Sequence, residues 1–125
     1  MKLTYDHDRW EANAGYGPLH ISREEQAGYK PYELFVSAIT GCLGEVLIQV
    51  CRKKQITYQE LAILPRVTRE GALNKITCIH FDFTFKGIEV SDEQLEKVIK
   101  LAMRNCSMMQ SVIGSIKMIF SHERI

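Results

Sequence analysis

From Leu34 to Cys51 the chain reads LFVSAITGCLGEVLIQVC, and Glu45 is the only charge in it. Such a run limits the possible folds, because apolar surface on every side must be covered. Pro31 suits the first turn of a helix, where a missing N–H costs nothing. Glu33 complements the positive helix end, and Arg52-Lys53-Lys54 complement the negative one. The spacing predicts one helix from Pro31 to about Lys54, buried all round. Gly41 and Gly44 each cost helix propensity, up to ~1 kcal/mol, which implies that another backbone approaches closely there. The run is shorter than the ~20 residues a membrane span needs and holds Glu45, Gln49, Ser37 and Thr40, so a core helix is the expectation.

The remainder of the chain supplies strands and a second helical region. Lys2–Tyr5 and Arg9–Ala14 read as strands joined by the polar turn Asp6-His7-Asp8. Gly15-Tyr16-Gly17-Pro18 marks another turn, and Leu19–Ser22 is a third strand. Arg23–Lys30 reads as a loop. Leu61–Arg69 alternates weakly around Pro65, which predicts an edge strand or a bulge. Glu70–Asn74 connects it to Lys75–Lys86, where Ile79, Phe81, Phe83 and Phe85 alternate with polar residues, the pattern of a strand with one face on a core. Ser91-Asp92-Glu93-Gln94 is a capping box. After it, Leu95, Val98, Ile99, Ala102, Met103 and Cys106 form one helical stripe. A short helix over Ser107–Ile113, ended by Gly114, and a strand over Ser115–Ser121 complete the chain.

Strands around non-alternating helices argue for an α+β fold with an antiparallel sheet. The length fits one domain spanning 1–125. One sheet covers only one side of the apolar helix, so a homodimer is the simplest way to cover the rest. The net charge of +1 gives no nucleic-acid footprint. Met1-Lys2-Leu3-Thr4 begins a polar stretch with no apolar h-region, so the expectation is no signal peptide and the cytoplasm as compartment, where the four cysteines read as free, metal-bound or catalytic thiols and not as a disulfide framework. His7, His20, His80 and His122 lack metal-ligand spacing, and no motif calls for a bound cofactor.

Two cysteines carry the chemical argument. Cys42 lies inside the apolar run and Cys106 on the buried stripe of the second helix. Free cysteine is among the most buried residue types, so each alone reads as a small hydrophobe. As a pair, one on each of two core helices, they also read as redox partners. A buried thiol has a raised pKa, and something must offset it. A position in the middle of a helix gives Cys42 no help from that helix's N-terminus, so the expectation is a guanidinium from the N-terminal strands. Glu45 either pairs with a buried cation or lines a cleft near Cys42. Cys51 points away from Cys42 on the same helix, and Cys78 lies on the polar face of its strand.

The segment Pro31-Tyr32-Glu33-Leu34-Phe35-Val36-Ser37-Ala38-Ile39-Thr40-Gly41-Cys42-Leu43, together with Asn105-Cys106-Ser107, resembles the two cysteine helices of the OsmC/Ohr superfamily of thiol peroxidases. The capping box and the phenylalanine-rich hairpin fall where that family has them. The resemblance implies the OsmC-like fold, a sheet wrapped around a long central helix with a second helix pair in an intertwined homodimer. It implies Cys42 as the peroxidatic thiolate, Cys106 as the resolving thiol and Arg9 as the activating arginine with Arg23 as its substitute; Glu33, one residue past the family's glutamate position and rotated ~100° around the helix, is a candidate site carboxylate or a first-turn capping one. Family hydroperoxidases carry glutamate where this chain has Tyr32, and many carry proline at the position of Ser107. The implied partners are a small hydroperoxide and an external dithiol reductant. The alternative is a non-catalytic or redox-sensing dimer with an apolar ligand cleft, and Tyr32 motivates it.

Overall fold

The computed structural model describes all 125 residues, which form two compact units, Met1–Ser37 and Ala38–Ile125. In the first unit, β1 (Thr4–Asp6), β2 (Arg9–Asn13) and β3 (Pro18–Ile21) make an antiparallel sheet in the order β1-β2-β3. His7 and Asp8 both have positive φ, 49° and 68°, as a two-residue hairpin turn requires when its twist matches the strands. Across this hairpin Tyr5 faces Trp10, with ring centroids 5.4 Å apart and an edge-to-face geometry. The loop after β3 folds back on it. The Tyr29 N–H donates to the His20 carbonyl at 2.8 Å, and a Cβ at Gly28 would lie 2.8 Å from His20 backbone atoms, so only glycine fits there.

Helix α1 runs from Pro31 to Lys53, with Glu33 in its first turn and Arg52 and Lys53 in its last. It has the length and apolar character of a membrane span. In the second unit, however, Ile39, Leu43, Leu47, Val50 and Cys51 form a buried stripe that joins the core. The expectation that α1 is buried on every side fails within one chain. Phe35, Ala38, Gly41, Glu45 and Gln49 are exposed. Nor does another backbone approach the helix glycines. A Cβ at Gly41 would meet nothing within 4 Å, and one at Gly44 would meet only the Ile63 side chain, at 3.7 Å.

The second sheet holds β4 (Glu60–Glu70), β5 (Lys75–Lys86) and β6 (Lys117–Arg124) in the order β4-β5-β6. Strands β4 and β5 are antiparallel, with a register shift at Thr68/Arg69, and Pro65 lies on β4 at one edge of this sheet. Strand β6, by contrast, pairs parallel to β5, a departure from a wholly antiparallel sheet. The chain between them contains α2 (Asp92–Arg104) and α3 (Ser107–Gln110), and a helical crossover is the connection that parallel neighbours need. Helix α3 is shorter than the expected Ser107–Ile113. Strand β6 starts later and runs further than Ser115–Ser121, because Arg124 fastens its end: the guanidinium donates to Asp92 and to the carbonyls of Ile88 and Val90.

Ile79, Phe81, Phe83 and Phe85 project from β5 into a core shared with α1 and with Leu95, Val98, Ile99 and Ala102 of α2. Ser91 Oγ accepts the Gln94 N–H at 3.1 Å, the capping interaction expected of that motif. The outer face of β5 is polar. Arg66 makes a bidentate pair with Asp82, at 2.6 and 3.1 Å, and Ser121 donates to Asp82 at 2.5 Å. Arg66 first, then Ser121, holds the Asp82 carboxyl below its ordinary range. A depressed carboxyl stabilises the native state above the unfolded pKa, ~3.9 for aspartate, and that contribution is lost as pH falls through the lowered value. Thermal melts of Arg66→Ala should show a small deficit at neutral pH, because the pair is solvent-screened, and no deficit in strong acid.

Candidate active site

Cys42 and Cys106 come together within the second unit. Cys42 is half-buried near the middle of α1, four residues ahead of Val46 on one helix face. Cys106 is fully buried, and both thiols are free. Helix α2 does not reach Cys106. It ends at Arg104, and Asn105 caps it, its backbone N–H returning to Leu101 and Ala102 and its side-chain amide donating to Leu101 O at 2.9 Å. The chain turns there, and Cys106 becomes the residue before α3. Its Sγ lies 3.9 Å from the Ile39 carbonyl, one turn before Cys42 on α1.

This turn brings the start of α3 against the Cys42 sulfur. The Met108 backbone, then the Cys106 thiol, and then the Ser107 hydroxyl and backbone all act to lower the Cys42 pKa. Ser107 Oγ and Cys42 Sγ are 3.8 Å apart. N–H groups in the first turn of a helix have no partner inside it, so they are available to a thiolate. Together these donors outweigh the desolvation of Cys42 and hold its pKa below the ordinary thiol value. Cys106 shifts the other way. Burial raises its pKa, and the adjacent Cys42 raises it further. The N-terminus of its own helix gives Cys42 no such help; it comes instead from the start of α3.

The other candidates are placed as follows. Arg9 lies on β2, and its Nε donates to Glu11 at 2.8 Å. Glu11 sits two residues along on the same strand face, a carboxylate partner for Arg9 that the sequence analysis missed. Arg23 is exposed in the loop after β3. Glu33 is exposed in the first turn of α1, where it complements the helix end. Glu45 does not pair with a buried cation; it is exposed one turn after Cys42 on α1 and has no ion-pair partner in the chain. Cys51 is buried in the core, where burial raises its pKa, and Cys78 is half-buried on the outer face of β5.

A groove of about 540 Å³ runs between α1 and α2. Val46, Val50 and Leu101 line it together with Gln49, Lys53, Lys54 and Asn105. It starts one turn beyond Cys42 on the same side of α1. Its lining mixes three apolar residues with four polar or charged ones.

Residues 23–121 match the family described as OsmC-like protein. No curated protein matches the chain in sequence. Among solved structures, an OsmC-like protein from Mycoplasma pneumoniae superposes with a TM-score of 0.86 at 13% identity, covering 99% of this chain and 94% of that one. A hypothetical protein from Aquifex aeolicus VF5 gives 0.85 at 20% identity, covering 99% and 93%. An organic hydroperoxide resistance protein from Elizabethkingia anophelis gives 0.77 at 15% identity, covering 99% and 94%. At these identities the likeness is one of fold.

Proposed function

This chain belongs to the OsmC-like protein family, and on that premise we propose that it is a cysteine-dependent peroxidase acting on organic hydroperoxides. The observation that carries this reading is the asymmetry of two neighbouring thiols. Cys42 is accessible and has a lowered pKa, whereas Cys106 is buried and has a raised one. The thiolate is the reactive form, so Cys42 attacks and Cys106 resolves.

In the first step the Cys42 thiolate attacks the terminal oxygen of the hydroperoxide. An S–O bond forms, the O–O bond breaks, and the alkoxide leaves and takes a proton to become an alcohol. Cys42 is then a sulfenic acid, which condenses with a neighbouring thiol. Cys106 attacks the Cys42 sulfur, the S–S bond forms, and the hydroxide leaves with the Cys106 proton as water. An external dithiol reduces the disulfide back to two thiols and is itself oxidised. Arg9, carried on β2 and paired with Glu11, enters the proposal as the activating arginine that the family resemblance implies, and Glu33 as the carboxylate in the first turn of α1. Arg23 remains the substitute. A thiol enzyme of this kind works in a reducing compartment such as the cytoplasm.

The same proposal includes a homodimer. The open face of α1 presents Phe35, Ala38 and Gly41, and a second copy of the chain would cover it. Gly41 then gains a reason, since a helix without a Cβ there admits a close neighbour. Sedimentation equilibrium should give twice the 14.4 kDa chain mass, and a monomer at micromolar concentration would contradict the dimer. The peroxidase reading is tested with purified protein, an organic hydroperoxide and dithiothreitol. Peroxide should disappear over many turnovers with matching oxidation of the dithiol. Consumption that stops after one equivalent per chain favours a sensor, and no consumption removes the enzyme reading.

A further inference from the structure

We infer that the Ser107 hydroxyl is a catalytic group of this site, which holds the Cys42 sulfur as a thiolate and keeps it aimed outward. The inference rests on the peroxidase reading and adds a residue to it. Ser107 Oγ is 3.8 Å from Cys42 Sγ, within range for a hydroxyl donating to sulfur. No other side-chain hydroxyl is in hydrogen-bond contact with that sulfur. Ser107 is also fixed in place: its carbonyl accepts both the Ser111 N–H, at 3.0 Å, and the Ser111 hydroxyl, at 2.8 Å. The backbone before it is set by the Asn105 cap and by the burial of Cys106. A hydroxyl on so constrained a residue need not be ordered when the thiol ionises.

The chemistry explains why a hydroxyl suits this place. Cys42 must be stable as an anion before attack, and an uncharged donor supports the anion without pairing it so tightly that its nucleophilicity is spent. The buried Cys106 thiol donates to the Ile39 carbonyl, and its hydrogen is lost when the disulfide forms. The Ser107 hydroxyl survives the whole cycle. The dithiol attacks the accessible Cys42 sulfur and Cys106 leaves as a thiolate that takes up a proton; the second thiol of the reductant then displaces Cys42, and the Ser107 hydroxyl can receive that emerging thiolate. No electron passes through Ser107, and no bond to its oxygen forms or breaks.

The test follows alkylation of the Cys42 peptide by iodoacetamide as a function of pH, alongside hydroperoxide turnover. Ser107→Ala should move the alkylation inflection to higher pH and slow neutral-pH alkylation and turnover by about three- to ten-fold, the size of one lost hydrogen bond. Ser107→Thr keeps the hydroxyl and should restore the wild-type inflection. Ser107→Gly, which also lacks the hydroxyl, repeats the measurement if the alanine variant fails to fold. A wild-type inflection in Ser107→Ala overturns the inference, as does an equal upward move in Ser107→Ala and Ser107→Thr. An active wild type with either result separates this failure from that of the peroxidase reading, which fails when the wild type itself consumes no hydroperoxide.

Discussion

Replacing Cys42 by serine should lower hydroperoxide turnover by at least about a thousand-fold, the scale of losing a covalent nucleophile. The change removes one sulfur from a half-buried position and leaves an oxygen of similar shape, so the fold should persist and the melting profile should be nearly unchanged. The loss arises from chemistry. A serine hydroxyl in the same cage of donors is not ionised at neutral pH, and it cannot form the sulfenic acid from which the disulfide is made. Cys106→Ser should behave differently. The first attack is still available, so one equivalent of hydroperoxide is consumed and the sulfenic acid persists unless the dithiol reaches it directly. Stopped-flow measurement of both variants separates the two roles. Equal rates in wild type and Cys42→Ser would show that the cage around Cys42 serves packing alone.

The second large effect is on stability. Phe83 is 1% exposed in the middle of β5, stacked on Phe85 at 6.2 Å and edge-to-face with Phe120 at 6.3 Å. Phe83→Ala should cost about 3–5 kcal/mol, from lost transfer energy and from the cavity left where neighbours cannot collapse. Whole domains of this kind are stable by only ~5–15 kcal/mol, so the variant should sit near the edge of folding. Leu64→Ala provides the contrast. Leu64 is 60% exposed on β4, and its loss should fall within about 0.5 kcal/mol. Urea titrations of the three proteins, at one fixed protein concentration so that any self-association contributes equally, make the comparison. A Phe83→Ala midpoint close to wild type would mean that the β5 face is not the centre of the core.

The residues that carry the core were legible because their signals are local. Alternation over Ile79–Phe85 specifies a strand face whatever surrounds it, and the Ser91–Gln94 cap needs only its own turn. The direction of β6 was not legible. Nothing in Lys117–Arg124 distinguishes a parallel from an antiparallel neighbour; the choice depends on how α2 and α3 carry the chain across the sheet. The end of β6 was missed for a related reason, since Arg124 finds its acceptors at Ile88, Val90 and Asp92, more than thirty residues earlier. Helix α1 looked uniformly apolar, and composition alone does not say which face its own chain covers.

At the site, the cysteine pair was legible as a pair, but the means of activating Cys42 was not. Reading Leu95 to Cys106 as one continuous stripe hid the break at Asn105, and with it the donors of Ser107 and Met108. The groups that lower the Cys42 pKa come from the start of α3 and from Cys106, and no pattern of charge in the sequence points to them. The pairing of Arg9 with Glu11 was equally hidden, because a carboxylate two residues away on a strand looks like ordinary surface charge until the strand is paired.

The most direct test of the account treats reduced protein with one equivalent of an organic hydroperoxide, without reductant, and maps its peptides by mass spectrometry under non-reducing conditions. A peptide joining Cys42 to Cys106 within one chain, with Cys51 and Cys78 still alkylatable after unfolding, is the predicted result. Recovery of Cys106 as a free thiol, with Cys42 unoxidised or oxidised alone, would contradict it.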